Sequence, residues 1–428
     1  MKVTVVGGGS TYTPELADGI GRLGHLLPVT ELVLMDPDLG RLEAVGGVCR
    51  RILAAHGSST VVRATDDLAD AAAGATAVLL QIRVGGQGAR DRDETWPMSC
   101  GCVGQETTGA GGLAKALRTV PVVTAIAERV RTVAPDAWLV NFTNPVGIVT
   151  RALLDDGHRV IGLCNVAIGL QRLLAAQLGV EPARVELAHV GLNHLSWELD
   201  VALLSADGTA RVSVLDRVIA EFGPVLEEEL GLPWDLVREL GVLPSYYLRY
   251  FYEHDNVVRE NRGRPTRAHE VSLLEARLLD LYADPELHHK PALLAERGGA
   301  YYSEAAVDLL AGLLGSDGAT RSQVVNGRNG GTLPFLPDDA VIETLVEVST
   351  SGAVPLPVPE VPPLYSGLIA HVSAYEALAL DAARHGGRHR VFTALLAHPL
   401  VGQADEARLL TDLLLENNRP WLPWADSS

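Results

Sequence analysis

Lys2-Val3-Thr4-Val5-Val6-Gly7-Gly8-Gly9-Ser10-Thr11-Tyr12 decides how the rest of the chain is read. A β-branched run gives way to glycines, and Pro14 then opens a helical spacing through Leu16, Ile20 and Leu23. That order is strand, tight turn, helix. Glycines at such a turn let the backbone approach a pyrophosphate, and the helix N-terminus offers it unpaired N–H groups. Gly7, Gly9, Ser10 and Thr11 are therefore the candidate cofactor contacts. Tyr12 stands where the usual G-x-G-x-x-G pattern has its third glycine, so the turn alone is a weak signal. A second run, Glu31-Leu32-Val33-Leu34-Met35-Asp36, ends in a carboxylate at about the separation that a ribose contact requires. An aspartate there favours two free ribose hydroxyls, hence NAD over NADP. Asp36 also suits a helix N-cap, and the two roles are compatible.

Working outward, further short apolar runs at 60–64, Ala75–Gln81, Ala137–Asn141 and Val160–Leu163 alternate with helical stretches, giving six strands. This is the pattern of a Rossmann-type doubly wound parallel sheet in the α/β class, with ligands at the carboxyl ends of its strands. Residues 1–165 are expected to form that NAD-binding domain. From about residue 166 the texture changes: closely spaced strands at Val185–Val190 and Ser196–Leu203, a hairpin turn at Asp207-Gly208, then mostly helices. Residues 166–428 are expected to form a second, α+β domain for substrate, metal and oligomerisation, an arrangement like that of lactate and malate dehydrogenases. Arg83–Glu94, rich in glycine and charge, reads as a binding loop. Gly352–Pro363, with five prolines, reads as an extended surface segment leading to the C-terminal helices.

The 428 residues, 47% of them hydrophobic, can bury a large core across two packed units. The formal net charge of −18 opposes nucleic acid and anionic membranes as partners. A small phosphorylated ligand stays compatible with it, because a local arginine cluster acts within a Debye length of about 8–10 Å. No apolar run approaches the roughly 18 residues that a membrane span needs, and no export signal is recognisable at Met1-Lys2, so the cytoplasm is the expected location. Cys49, Cys100, Cys102 and Cys164 are too unevenly spaced for a disulfide framework.

Two clusters carry chemistry. Val160-Ile161-Gly162-Leu163-Cys164-Asn165 is a buried strand delivering a thiol to a sheet edge, and Gly191-Leu192-Asn193-His194 brings an imidazole. Together they can supply two ligands to one metal ion, although buried cysteines and structural histidines are the commoner case. Asn141-Phe142-Thr143-Asn144-Pro145 sets two amides at the same edge, where a simple turn is the alternative. Tyr246, Tyr247 and Tyr250 fall in one tyrosine-dense stretch and are equal candidates for an acid–base role.

At this point the chain resembles the NAD-dependent glycoside hydrolases of family 4. The resemblance rests on Gly7–Ser10 with Tyr12-Thr13-Pro14-Glu15-Leu16, Gly104-Gln105-Glu106-Thr107, Asn141–Pro145, Leu163-Cys164-Asn165, Gly191–His194, Tyr247-Leu248-Arg249-Tyr250 and Arg267–Val271. It implies hydrolysis in which the sugar is oxidised at C3, loses its C2 proton, eliminates the aglycone, adds water and is reduced again. It also implies Cys164 and His194 as ligands of a divalent metal, usually manganese, and Tyr247 as the C2 base. Cofactor contacts would include Asn141, and substrate contacts Arg90, Glu106, Asn144, Asn165 and Arg267. Within the family the residue after the metal cysteine differs by substrate, and Asn165 resembles the 6-phospho-β-glucosidases. A carboxylic acid there could protonate an α-linked leaving group; asparagine cannot. The resemblance further implies a homodimer or homotetramer acting on a phosphorylated sugar. The alternatives are a lactate or malate type dehydrogenase, a family member with another glycoside as substrate, and a redox-sensing NAD-binding regulator.

Overall fold

The computed structural model describes residues 1–206, 208, 210–299, 301–315 and 318–425. Its centre is the parallel sheet β1 (Lys2–Val6), β2 (Glu31–Met35), β3 (Val61–Thr65), β4 (Ala77–Leu80), β5 (Trp138–Asn141) and β6 (Val160–Gly162). Their spatial order, β6-β5-β4-β1-β2-β3, reverses direction between β4 and β1. That reversal opens a crevice at the carboxyl ends of the strands, where helices leave on opposite faces. The central strand runs were legible because they are buried on both faces and so lack polar interruption, whereas the edge strand β3 is largely open to solvent on one face.

Beyond β6 the sheet continues with antiparallel strands from the second half of the chain. These are β7 (Val185–Leu192), β8 (Leu195–Leu204), β9 (Arg211–Ser213), β10 (Leu243–Pro244), β11 (Arg321–Arg328), β12 (Val341–Ser349) and β13 (Gly352–Pro355). β11 joins β6 through a single residue pair, Asn326 opposite Gly162. β12 pairs with β11 and with β7, and β7 with β8. A Cβ on Gly162 would sit 2.8 Å from Val146 and 2.9 Å from the Asn326 Cβ, so the junction needs glycine.

Apolar helix faces cover both sides of the sheet. One core includes Leu113, Leu117, Trp197, Ile369 and Leu410; the other includes Val3, Leu32, Leu278, Leu309 and Val348. Each draws residues from both sides of residue 165, so we propose that this position divides the chain by role and not by core. Among the described residues no helix is long and apolar enough to cross a membrane.

Two expectations change. Most of the charged stretch Arg83–Glu94 belongs to a helix, Gly86–Thr95, not a loop. Gly85, at φ 84°, turns the chain into it, and the helix buries Ala89, Asp93 and Glu94 while Arg90 and Glu94 pair one turn apart. The proline-rich segment begins as β13, paired to β12, before it becomes irregular. The expected hairpin turn involves Asp207, which lies outside the described residues.

The 86–95 helix is fixed from beneath. Asp93 and Arg118, 1% and 3% exposed, form a bidentate pair at 3.0 and 2.5 Å, and Arg118 also donates to Asn418. Asp93→Ala leaves a buried guanidinium without its counter-charge. The expected cost is about 3–5 kcal/mol, read as a lower urea midpoint.

Candidate active site

A cleft of about 760 Å³ lies along the carboxyl ends of the parallel strands. At one end is the glycine turn, where each glycine has its own steric reason. Gly7 has φ 88° and a Cβ there would meet the Gln81 carbonyl at 2.6 Å. A Cβ on Gly8 would lie 2.8 Å from Leu34 Cα, and one on Gly9 3.0 Å from the Asp36 carboxylate. Asp36 Oδ2 accepts from Gly9 N at 3.1 Å and its Oδ1 from Asp38 N at 3.0 Å, so the aspartate holds the turn as well as facing the cleft. Ser10 lines the cleft. Thr11 is fully buried instead, and its Oγ1 accepts from Arg297 Nε at 2.8 Å. Arg297 reaches the cleft from the second half of the chain, tied also to Glu275 at 3.1 Å.

Asn141 is likewise fully buried and does not line the cleft. Its Oδ1 accepts from Thr143 N at 2.9 Å and its Nδ2 donates to Thr150 Oγ1 at 3.1 Å. Its amide therefore shapes the 141–145 turn, and that turn presents Asn144 to the cleft. Asn144 Oδ1 is buried with no hydrogen-bond partner among the described residues, an acceptor open to a ligand.

Further along, β6 runs out at Cys164, and the two-residue turn between β7 and β8 carries Asn193 and His194. His194 takes the left-handed conformation at φ 63°, which costs a non-glycine residue about 1 kcal/mol or more. Two contacts fix its ring: Nδ1 meets Thr107 Oγ1 at 2.8 Å, and the face stacks on Tyr247 at 3.5 Å between centroids, 7° from parallel. Burial pushes the imidazole down to about 4, so it is neutral, with Nε2 left to bind. Burial, with Glu343 second, pushes the Cys164 thiol up to about 12. A neutral imidazole and a thiol that ionises only next to a cation, both next to Tyr247, can ligate a divalent metal. Among the described residues no third His, Cys, Asp or Glu joins them, so most of the coordination sphere falls to donors from outside the protein.

Of the three tyrosines left open by the sequence, Tyr247 lines the cleft, Tyr246 is 38% exposed and Tyr250 packs into a small apolar cluster. Burial, followed by Cys164 and Tyr250, raises the Tyr247 phenol well above its usual value, while Arg90 works to lower it.

Four charged groups close the far wall. Glu106, 6% exposed, pairs with Arg83, with Lys115 at 2.5 Å and with Arg90 at 3.2 Å. Burial pushes the Glu106 carboxyl up, but Arg83, Lys115 and Arg90 together hold it well below the usual carboxylate range. Glu94 grips Arg90 Nε at 2.6 Å. Two arginines and Lys115, whose ammonium burial and Arg83 push down to about 7, face Glu106, and Glu94 braces Arg90, so the planar arginine forks make this wall suited to an anion.

Cys164, His194, Tyr247, Asn144, Asn165, Arg90 and Glu106 are thus brought together. Arg267 is not: it starts the helix Arg267–Ala283, is largely exposed and binds Glu270 at 3.0 Å and the Glu296 carbonyl at 2.7 Å. Sequence reasoning passed over Arg83, Lys115, Asn193, Arg297 and Glu343. A lone lysine inside Gly109-Ala110-Gly111-Gly112-Leu113-Ala114-Lys115-Ala116 and a lone glutamate inside Val341-Ile342-Glu343 were readable signals. Arg297 had no local signal, because only folding brings it to the glycine turn.

The sequence profile described as "Family 4 glycosyl hydrolase" matches residues 2–180, and that of the family's C-terminal domain matches residues 189–401. A probable 6-phospho-beta-glucosidase of Bacillus subtilis is 38% identical, covering 99% of this chain and 97% of the relative. The solved 6-phospho-beta glucosidase of Thermotoga maritima with manganese, NAD+ and glucose-6-phosphate is 30% identical, with a TM-score of 0.89 over 99% of each chain. A lactate dehydrogenase from Cryptosporidium parvum, 15% identical at a TM-score of 0.55 over 90% of this chain and 98% of its own, shares the fold.

Glu106→Gln removes the anion that three cations share. It should lower the melting temperature by several degrees, and millimolar phosphate should restore part of the loss by replacing the missing charge. A melting temperature equal to wild type would show that the cluster is not electrostatically strained.

Proposed function

This chain belongs to family 4 of the glycosyl hydrolases, and from that premise we propose that it hydrolyses 6-phospho-β-glucosides with NAD and a divalent metal, manganese. The observation that carries the reading is one cleft lined by the glycine turn, Tyr247 and an arginine-rich wall, with the buried His194 stacked on Tyr247 and Cys164 next to the same ring. The resident groups supply reversible oxidation at the sugar ring and Lewis-acid stabilisation of the oxygens beside it.

The chain's own residues do the rest. Asp36 receives the ribose hydroxyls, and the Gly7–Gly9 backbone admits the pyrophosphate. Cys164 and His194 hold the metal. Tyr247 Oη takes the proton from C2 of the sugar and is positioned for it by stacking on His194. Burial, Cys164 and Tyr250 keep the phenol protonated in the free chain, so its role as base requires a bound cation to favour the phenolate, with Arg90 acting in the same direction. Loss of the aglycone and addition of water at C1 complete the hydrolysis, with the C2 proton returned by the same tyrosine. Arg90, Arg83 and Lys115 bind the 6-phosphate, with Glu106 drawing them together. Asn144 offers its orphaned acceptor to a sugar hydroxyl. Asn165, unable to donate a proton as an acid, suits the β-linked branch. Arg267, outside the cleft, is not needed for this arrangement.

Several exposed leucines on the C-terminal helices, Leu364 and Leu409 at 61% and 52% among them, favour a homodimer or homotetramer. Free thiols and an NAD requirement fit the cytoplasm.

The test is incubation with NAD+, Mn2+, a reductant and p-nitrophenyl 6-phospho-β-glucoside. Nitrophenol release without net growth of NADH is the expected result, and stoichiometric NADH would point to a dehydrogenase instead. Tyr247→Phe should lower kcat by about 10²–10⁴-fold with KM nearly unchanged. Substrate deuterated at C2 should exchange with solvent during turnover by the wild type and not by this variant.

A further inference from the structure

Behind the Cys164–His194 pair lies a buried polar network that the hydrolytic reaction does not itself use. Glu343, on β12 and 2% exposed, accepts from Asn193 Nδ2 at 3.1 Å and Asn326 Nδ2 at 2.8 Å through one oxygen. Its other oxygen meets His189 Nε2 at 3.2 Å, and His189 Nδ1 meets Glu198 at 2.8 Å. Burial opposes a charged His189, but the two carboxylates hold it protonated, pushed up to about 10. Two carboxylates and one imidazolium leave a single net negative charge in a region where Glu343, His189 and Glu198 are each under 5% exposed.

An unbalanced buried charge is costly unless an opposite charge arrives. Asn193 shows where it would arrive. Its side chain hydrogen-bonds Glu343 and lies near the Cys164 sulfur, and it precedes His194 in the strained turn.

We infer that Glu343 is the positioning residue of the cation site: through Asn193 it holds the turn that carries His194 and borders the Cys164 sulfur, and its buried carboxylate sets the field there. This rests on the reading of Cys164 and His194 as the ligands. Outer partners of metal ligands set affinity through orientation and field, with losses of about 10–100-fold when they are removed.

The experiment is titration of the full chain with Mn2+, without substrate, reading free Mn2+ by electron paramagnetic resonance, alongside NAD+ affinity by fluorescence. Glu343→Gln should raise the Mn2+ Kd by about 10–100-fold and leave NAD+ affinity unchanged. Glu343→Asp, which keeps the charge, should recover part of the loss. Unchanged Mn2+ affinity in Glu343→Gln, with affinity lost in Cys164→Ser, overturns the inference alone. Unchanged affinity in both overturns the ligand assignment beneath it. Should Glu343→Gln fail to fold, Glu198→Gln removes the same net charge one residue further back. It should raise the Mn2+ Kd by a smaller factor, and no rise at all overturns the inference.

Discussion

The sheet is held together at its middle by one residue pair. β6 meets β11 only where Gly162 faces Asn326, and no side chain other than hydrogen fits at Gly162 between Val146, Thr150 and Asn326. The placement of β11, β12 and β7, and with them the His194 turn, depends on this close approach. Asn326 passes its register to Glu343 by a hydrogen bond, Glu343 to Asn193, and Asn193 borders both His194 and Cys164. A shift of β11 by one residue would turn Asn326 to the other face and detach the imidazole from the thiol. The proposed metal pair is therefore assembled by sheet register across two halves of the chain, with no contribution from local sequence proximity.

The cleft is also a place where stability has been yielded. His194 keeps a left-handed backbone, Glu106 gathers three cations in a buried setting, and Asn144 leaves an acceptor unpaired. Each feature is unfavourable in the free protein and becomes favourable when a ligand supplies the missing partner. A cation answers the thiol and the buried carboxylates, an anion answers the arginine wall, and a hydroxyl answers Asn144. Such preorganisation keeps the reorganisation of the protein small when the sugar binds. Rigid supports make it possible: the Asp93–Arg118 pair anchors the helix that carries Arg90, and Thr107 and Tyr247 clamp His194 from two sides.

Charge distribution explains how a chain of net charge −18 can accept a phosphorylated substrate. The arginine wall is enclosed by low-dielectric protein, and exposed carboxylates elsewhere are screened beyond about 10 Å. The local field, not the global one, meets the ligand.

The sequence by itself determined the parallel half of the molecule. Six short apolar strand runs interrupt the helical pattern, and the glycine turn with Asp36 marks the proposed cofactor end. It also marked Cys164, His194 and a tyrosine cluster, since rare residue types stood at strand ends. Tertiary structure decided the rest. The choice of Tyr247 over Tyr246 and Tyr250 is a matter of which ring faces the cleft, and the burial of Asn141 and the exposure of Arg267 are matters of packing. The charged stretch after β4 looked like a loop, because glycine and charge both weaken the helical signal. It folds as a helix because Asp93, Glu94 and Arg90 find buried partners on other elements. The physical reason is common to all of these. Local sequence fixes backbone preference over a few residues, whereas the pairing of buried charges and the register between distant strands exist only once the chain has closed on itself.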